Sequence, residues 1–377
     1  MKAKYAFVFI FLLIGALSAQ ELALVRENDL FGYIDTSGAY VIEPQFEKSG
    51  DFSGGFAPAM VEKKWGYIDT SGKWIIEPKY DQVKAFDSGY ALVKLADTWQ
   101  YIDKNDEILS VPVPDKYYDF NDGVAIYRKG EKIGLLGTDG KLILEPTYED
   151  IKPFHGNYAK TRKGEKWGMI SKTGDVYIPF EYEEIGNYHK TAFYAKKDGV
   201  FGLLVNKNFI PVPEVDKIWD FNDHSTLTYA RSNKLLGFID TKGTWVIAPT
   251  YEKVRAFTAG LAPVYKDKKW GYINEKGELV VDYAYKDAET FSEDGLAPVK
   301  NKKWGFIDTS GKLIIPEEYD ISAKFDFKTM FTKGNDKGFN HGLARVKTKE
   351  GWGFLDKNGN LLGNKWFQNA ELFVEAQ

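Results

Sequence analysis

A short phrase recurs along this chain at a nearly constant interval, and that interval constrains the fold more than anything else. Trp65-Gly66-Tyr67-Ile68-Asp69 is its full form, and Phe31-Gly32-Tyr33-Ile34-Asp35, Trp270-Gly271-Tyr272-Ile273-Asn274 and Trp304-Gly305-Phe306-Ile307-Asp308 are close copies. Weaker copies are Trp99-Gln100-Tyr101-Ile102-Asp103, Ile133-Gly134, Trp167-Gly168, Phe201-Gly202, Leu236-Gly237 and Trp352-Gly353. The second positions fall at 32, 66, 100, 134, 168, 202, 237, 271, 305 and 353, so the steps are 34 or 35 until a last step of 48. A period so regular means one array of ten stacked units sharing a core, not a string of independent domains. The long last step places an insertion near residues 323–335.

Within a unit the residues alternate between strand formers and turn formers. In the second unit Phe56–Val61 reads as a strand, Glu62-Lys63-Lys64 as a polar turn and Trp65–Ile68 as a second strand. Asp69-Thr70-Ser71-Gly72 makes the next turn: the Asp side chain accepts from backbone N–H groups, and Gly72 supplies the positive φ that other residues resist. Trp74-Ile75-Ile76 forms a third strand, and Pro78, lacking a ladder donor, is expected to end it. Tyr80, Val83 and Phe86, three apart, suit an irregular or 3₁₀ excursion pinned by apolar anchors. A 34-residue period also suits paired helices, but Gly, Pro and turn Asp are too dense here for that reading.

The Trp-Gly opening, the Asp-x-x-Gly turn, the apolar pair before Pro and the Tyr after it resemble the bacterial WG repeat family, also called KWG repeats. Lys64-Trp65-Gly66, Lys166-Trp167-Gly168, Lys269-Trp270-Gly271 and Lys303-Trp304-Gly305 carry the longer form. The resemblance covers nearly the whole chain beyond the first residues. It implies a non-enzymatic β-repeat protein that mediates binding. Gln100 replaces the Gly, and the fourth and sixth units lack the Trp, which puts close packing in all three in question.

The fold class expected is all-β, with ten tandem units. A Gly in a strand bares flat main chain, and a ring from a neighbouring unit fits there where any Cβ would push it away. Trp65, Gly66, Trp167, Gly168, Trp270, Gly271, Trp304, Gly305, Trp352 and Gly353 are therefore read as repeat core. Ala23 sits at a unit start and the last unit runs to the C-terminus, with no unit visibly split between the ends. That phase favours an open, twisted β-solenoid-like or superhelical array; a closed β-propeller-like ring is the alternative.

Residues 1–19 read as an address. Lys2 and Lys4 precede an apolar run from Ala6 to Leu17, then Ser18-Ala19-Gln20 offers a cut after Ala19, with a cut after Ser18 as the rival. The run is too short to span a bilayer, so export to the periplasm or medium is expected, followed by a β array over residues 20–377. With 44% hydrophobic residues the chain can build a core, and with no Cys it has neither a thiol nucleophile nor a disulfide framework.

Charge is unevenly placed. The six residues ending at each anchor aromatic carry a net charge of +13 in total, against −4 for the whole chain. Lys63, Lys64, Lys268, Lys269, Lys302 and Lys303 are thus candidates for a cationic edge that takes an acidic protein or an anionic polymer or glycan. The competing reading is a solvated edge that discourages aggregation. Phe325, Phe327 and Phe331, among lysines in the insertion, are a second candidate surface, against a role in capping the array. His155, His189 and His224 recur at unit spacing, a row that suits either a metal or a merely polar loop position. Hydrolase, phosphate-loop and dinucleotide motifs are lacking, as is any nucleic-acid motif. The expectation is an exported, non-enzymatic binding scaffold without cofactor or nucleic-acid partner; a carbohydrate-binding module with open aromatic platforms is the alternative.

Overall fold

The structure, a computed structural model, describes residues 20–321 and 337–376. Among them every regular element is a strand except one 3₁₀ turn, Leu362–Asn364. The second unit shows how the sequence produces its sheet. A two-residue strand, Lys48–Ser49, pairs with Ala57–Val61, which pairs with Lys64–Ile68, which pairs with Trp74–Tyr80, all antiparallel. The hairpin at Glu62 and Lys63 has positive φ at both residues, the mirror-image turn whose twist matches its strands. In the next turn Asp69 Oδ1 accepts from Ser71 N–H at 2.9 Å and Lys73 N–H at 3.0 Å, while Gly72 sits at φ 83. Asp35, Asp308 and Asp356 hold their turns in the same way.

Two local expectations change. Pro78 does not end the third strand, which continues to Tyr80. The ladder shifts register between Trp65 and Tyr67, and Pro78 lies in that bulge, where a missing donor is tolerated. The excursion is extended rather than 3₁₀: one residue beyond Tyr80 the chain forms Gln82–Val83, the short strand of the next sheet.

Ten such sheets follow one another, seven of them with the four-strand order of the second unit. Successive sheets pack face to face. Between the second and third, Tyr67, Ile76 and Tyr80 of one meet Ala91, Val93 and Ile102 of the next, with Phe86 from the connection between them. The small Ala lets the sheets approach, and the aromatic pair fills the gap. Tyr67 and Phe86 have centroids 4.7 Å apart, Tyr33 and Phe52 4.8 Å, Phe238 and Phe257 4.6 Å and Tyr272 and Phe291 5.1 Å, each pair 19 positions apart. Phe306 finds the same partner in Phe339, across the insertion. Buried Tyr67 also donates its hydroxyl to the Lys84 carbonyl at 2.6 Å, as Tyr33 does to Gly50 and Tyr272 to Glu289.

The array closes. The first sheet takes its outer partners from the other end of the chain: Arg26 pairs with Asn369, Val25 with Ala370, Leu22 with Val374 and Glu21 with Glu375. Phe354, Phe367 and Phe373 of the last unit bury Ala23, Val25 and Ile34 of the first. Lys365 pairs with Glu27 at 2.7 Å. The ten sheets thus form a closed, β-propeller-like ring, and the open array favoured by the phase of the repeat gives way to the alternative. The physical reason lies in the connection. Phe367–Phe373 stands to the first unit as Tyr80–Phe86 stands to the third, so the first unit is divided between the two ends after all.

Candidate functional site

The hairpins between first and second long strands lie side by side along one rim, and there the structure separates structural cations from free ones. The residue paired across the ladder from the anchor aromatic is usually Lys or Arg. Arg26 lies over Phe31 at 5.5 Å, Lys196 over Phe201 at 5.2 Å, Lys300 over Trp304 at 5.5 Å and Lys347 over Trp352 at 5.1 Å. Each such contact is worth about 0.5–1 kcal/mol where water reaches it. In these sheets part of the positive charge before the anchor therefore lies on its ring.

A second rule governs the residue that follows each third strand. Its N–H bonds to the carbonyl of that cation position in the next unit, and its side chain is usually acidic. Asp81 pairs with Lys64 at 2.6 Å, Asp115 with Lys129 at 3.0 Å, Glu149 with Lys132 at 2.5 Å and Asp216 with Arg231 at 2.5 Å, and Asp320 pairs with Lys303. The acid also caps a hairpin: Glu149 accepts from Gly164 N–H, Asp115 from Gly130 N–H and Glu47 from Glu62 N–H. The Lys132 ammonium, with Gly164 N–H, holds the Glu149 carboxyl down to about 2.

Of the candidate lysines, Lys64 and Lys303 are therefore neutralised within the ring. Lys269 donates to the Ala284 carbonyl at 2.9 Å instead of a carboxylate. Lys63, Lys268 and Lys302 are exposed and have no carboxylate partner among the described residues. Phe325, Phe327 and Phe331 lie outside the described residues.

The anchor positions behave differently from the expectation in one respect. A Cβ on Gly66 would meet the Ile76 carbonyl oxygen at 2.3 Å and Pro78 N at 2.8 Å. Gly305 would meet the Ile315 oxygen at 2.5 Å and Gly271 the Val281 oxygen at 2.6 Å; Gly168 faces the Ile178 oxygen at 2.5 Å. What crowds these glycines is the main chain of their own third strand at the bulge, not a ring from the neighbouring unit. Gly353 instead faces side chains of its own unit, Leu361 at 2.7 Å and the Trp366 ring at 2.8 Å, and Gly202 meets the Phe209 ring at 2.6 Å beside the Ile210 oxygen at 2.4 Å. The indoles turn toward the next unit: Trp270 is 6% and Trp304 4% exposed, while Trp65, Trp167 and Trp352 are half-buried.

The histidines occupy separate places. His189 stacks at 6.2 Å on Phe221 with Nε2 3.5 Å from Asp223, His224 borders a loop cleft, and His341 contacts Glu21 at the closure. Burial lowers the pKa of His155. Among the described residues no three His, Cys, Asp or Glu side chains gather as metal ligands, and no helix is long and apolar enough to cross a membrane.

A search of the curated proteins finds no match to the chain. Among solved structures it is similar to a eukaryotic initiation factor, at 10% identity over 94% of this chain and 98% of that one, TM-score 0.48. It is also similar to Hsv2p of Kluyveromyces lactis, at 8% identity over 67% and 97%, TM-score 0.30. A third is PorZ, a surface component of the type-IX secretion system of Porphyromonas gingivalis, at 8% identity over 91% and 57%, TM-score 0.26. The family model described as WG containing repeat matches residues 31–65, 65–99, 101–132, 133–167, 167–200, 237–270, 270–303 and 304–334. With most of its length so matched, the chain belongs to the WG containing repeat family.

Proposed function

We propose that this protein is an exported, non-enzymatic scaffold whose ring binds a protein partner over its β surface. One observation carries the reading: ten alike hairpins stand along one rim of a closed ring, and only some of their cations are neutralised from within. Repetition on a rigid support gives an extended contact surface. The repeated Asp carboxylates hold turn N–H groups, which gives them a structural task in place of acid–base chemistry. Burial of Trp270 and Trp304, with none of the ten Trp fully exposed, favours this reading over a carbohydrate module with open indole platforms.

Immobilised ring should retain a protein from a native envelope extract and ignore neutral glycans; retention of glycans alone would reverse the choice. Export places the mature N-terminus at Gln20. The first strand starts at Glu21, so a cut after Ala19 leaves the ring whole. Mass measurement of protein recovered from the medium or periplasm checks it.

A further inference from the structure

At the junction of the eighth and ninth units the acidic rule of the rim is reversed. Lys286 follows the third strand Leu279–Tyr285 and donates its N–H to the Lys300 carbonyl, the place held elsewhere by Asp81, Glu149 or Asp320. Lys269, 17 residues earlier, loses the carboxylate that Lys64 and Lys303 have at that spacing. The residue across from Trp270 is Tyr265 rather than a cation, with the rings 5.4 Å apart. The departures at Lys286 and Tyr265 meet in one cleft of about 420 Å³, lined by Lys253, Val254, Arg255, Tyr265, Trp270, Lys286 and Asp287.

Its charges are unevenly satisfied. Arg255 is fixed: it pairs with Glu289 at 3.0 Å and Asp287 at 3.2 Å, donates to the Ala288 carbonyl at 2.8 Å and lies 5.2 Å over Trp270. Lys253 reaches over Tyr265 at 4.8 Å, yet neither it nor Lys286 has a carboxylate partner among the described residues. Three cations against one carboxylate line a cleft in a chain of net charge −4. The fold has adjusted to the reversal. The hairpin of the ninth unit, deprived of its acidic cap, is capped by Glu317, which accepts from Asn301 N–H at 3.0 Å and from its side-chain amide at 3.1 Å.

We propose that this cleft binds an acidic peptide segment of the partner protein, whose Asp or Glu side chains supply the carboxylates missing at Lys286 and Lys253. The proposal deepens the scaffold reading and rests on it. Charge complementarity names the ligand chemistry. The indole face beneath Arg255 is covered, which leaves little platform for a sugar ring and favours a peptide over an acidic glycan.

The test uses the whole mature chain and a hexaglutamate peptide, followed by calorimetry at low and high salt, with hexaglutamine and heparin as separate arms. Hexaglutamate should bind and weaken with salt, and hexaglutamine should not bind. Lys286→Glu restores the residue type found at the other junctions, so it should fold and melt like the parent while binding weakens about tenfold or more. Lys253→Ala should weaken it several-fold, and Lys64→Glu, at another junction, by less than about twofold. Equal binding by Lys286→Glu overturns the cleft, and heparin binding without hexaglutamate binding overturns the peptide. If the parent ring and Lys286→Glu hold the same envelope protein equally, the cleft falls and the scaffold stands. If the parent ring holds neither hexaglutamate nor any envelope protein, the scaffold itself falls.

Discussion

The second and third units differ at two small positions, and the difference explains what the repeated glycine is for. In the second, Gly66 lets the third strand bulge against its own main chain, and Trp74–Tyr80 completes a four-stranded sheet. In the third, Gln100 stands at that place, and Asp106 replaces the glycine of the following turn at φ 67. The ladder stops at a single bridge between Ile102 and Ile108, and no third strand follows. Ile108 and Val113 are left 62% and 71% exposed. The neighbour makes use of the change: Asp106 takes both the Lys79 ammonium and the Tyr80 hydroxyl of the second unit. In the third unit the Cβ of Gln100 accompanies the loss of the third strand; the tenth unit, with Gly353 and Gly359 in place, also lacks one, so the ring as a whole tolerates either.

The largest contrast should come from the anchors. Trp304, seated in the core between the ninth and tenth units, should cost about 3–5 kcal/mol when changed to Ala. Trp99, half-buried in the three-stranded unit, should cost clearly less; equal losses in urea denaturation would break the distinction between the units.

Gly66→Ala comes next. Its Cβ faces main chain that cannot rotate away, so a loss of up to about 3 kcal/mol is expected, with amide exchange accelerating across Trp74–Tyr80. Gln100→Ala, where no third strand is paired, should stay within about 0.5 kcal/mol.

A smaller effect should be common to both units. Tyr67 and Tyr101 each donate to a carbonyl 17 residues on, so Tyr67→Phe and Tyr101→Phe should each lose about 1 kcal/mol. A loss confined to Tyr67 would mean that the bond depends on a complete sheet.

The smallest is a pH effect. Partial burial by itself would raise the Asp69 carboxyl, but the Ser71 and Lys73 hydrogen bonds outweigh it and leave the pKa lowered. A folded-state pKa below the unfolded one stabilises above the ordinary carboxylate range, and that contribution is lost as pH falls through the folded value. Asp69→Asn should therefore be slightly less stable than the parent at pH 7, by under about 0.5 kcal/mol, with the gap closing below about pH 4. A gap that persists at pH 2 would assign the effect to the turn bonds alone.

Much of this is legible in the sequence alone. The turn at Asp69–Gly72, the strands around Trp65 and the unit boundaries all follow from local chemistry; of the units whose packing was in question, the third lacks a strand while the fourth and sixth form complete sheets. Closure was harder to read because the joining strands, Asn369–Ala370 and Val374–Glu375, are two residues long and carry no propensity of their own. Their clue was the aromatic spacing: Phe373 follows Phe354 by the interval that separates Tyr67 from Phe86. The rim was half legible. Clustered lysines were visible, but which of them are neutralised depends on the register that sets Lys64 beside Asp81 and leaves Lys269 on the Ala284 carbonyl. Without that register a charge reversal looks like any other lysine.

The clasp between the two termini has a consequence for how the molecule is made. Asp29 donates its N–H to Gln368, a partner 339 residues away in the chain. Middle units can acquire their hairpins as soon as each leaves the ribosome, since those contacts are local. The first sheet must wait, one edge bare, until Asn369–Glu375 has been made. The expected order is a ribbon first and a hoop once the two ends meet. Fluorophores at Glu21 and Glu375 would report that moment as a late rise in energy transfer, after the indoles have already been buried.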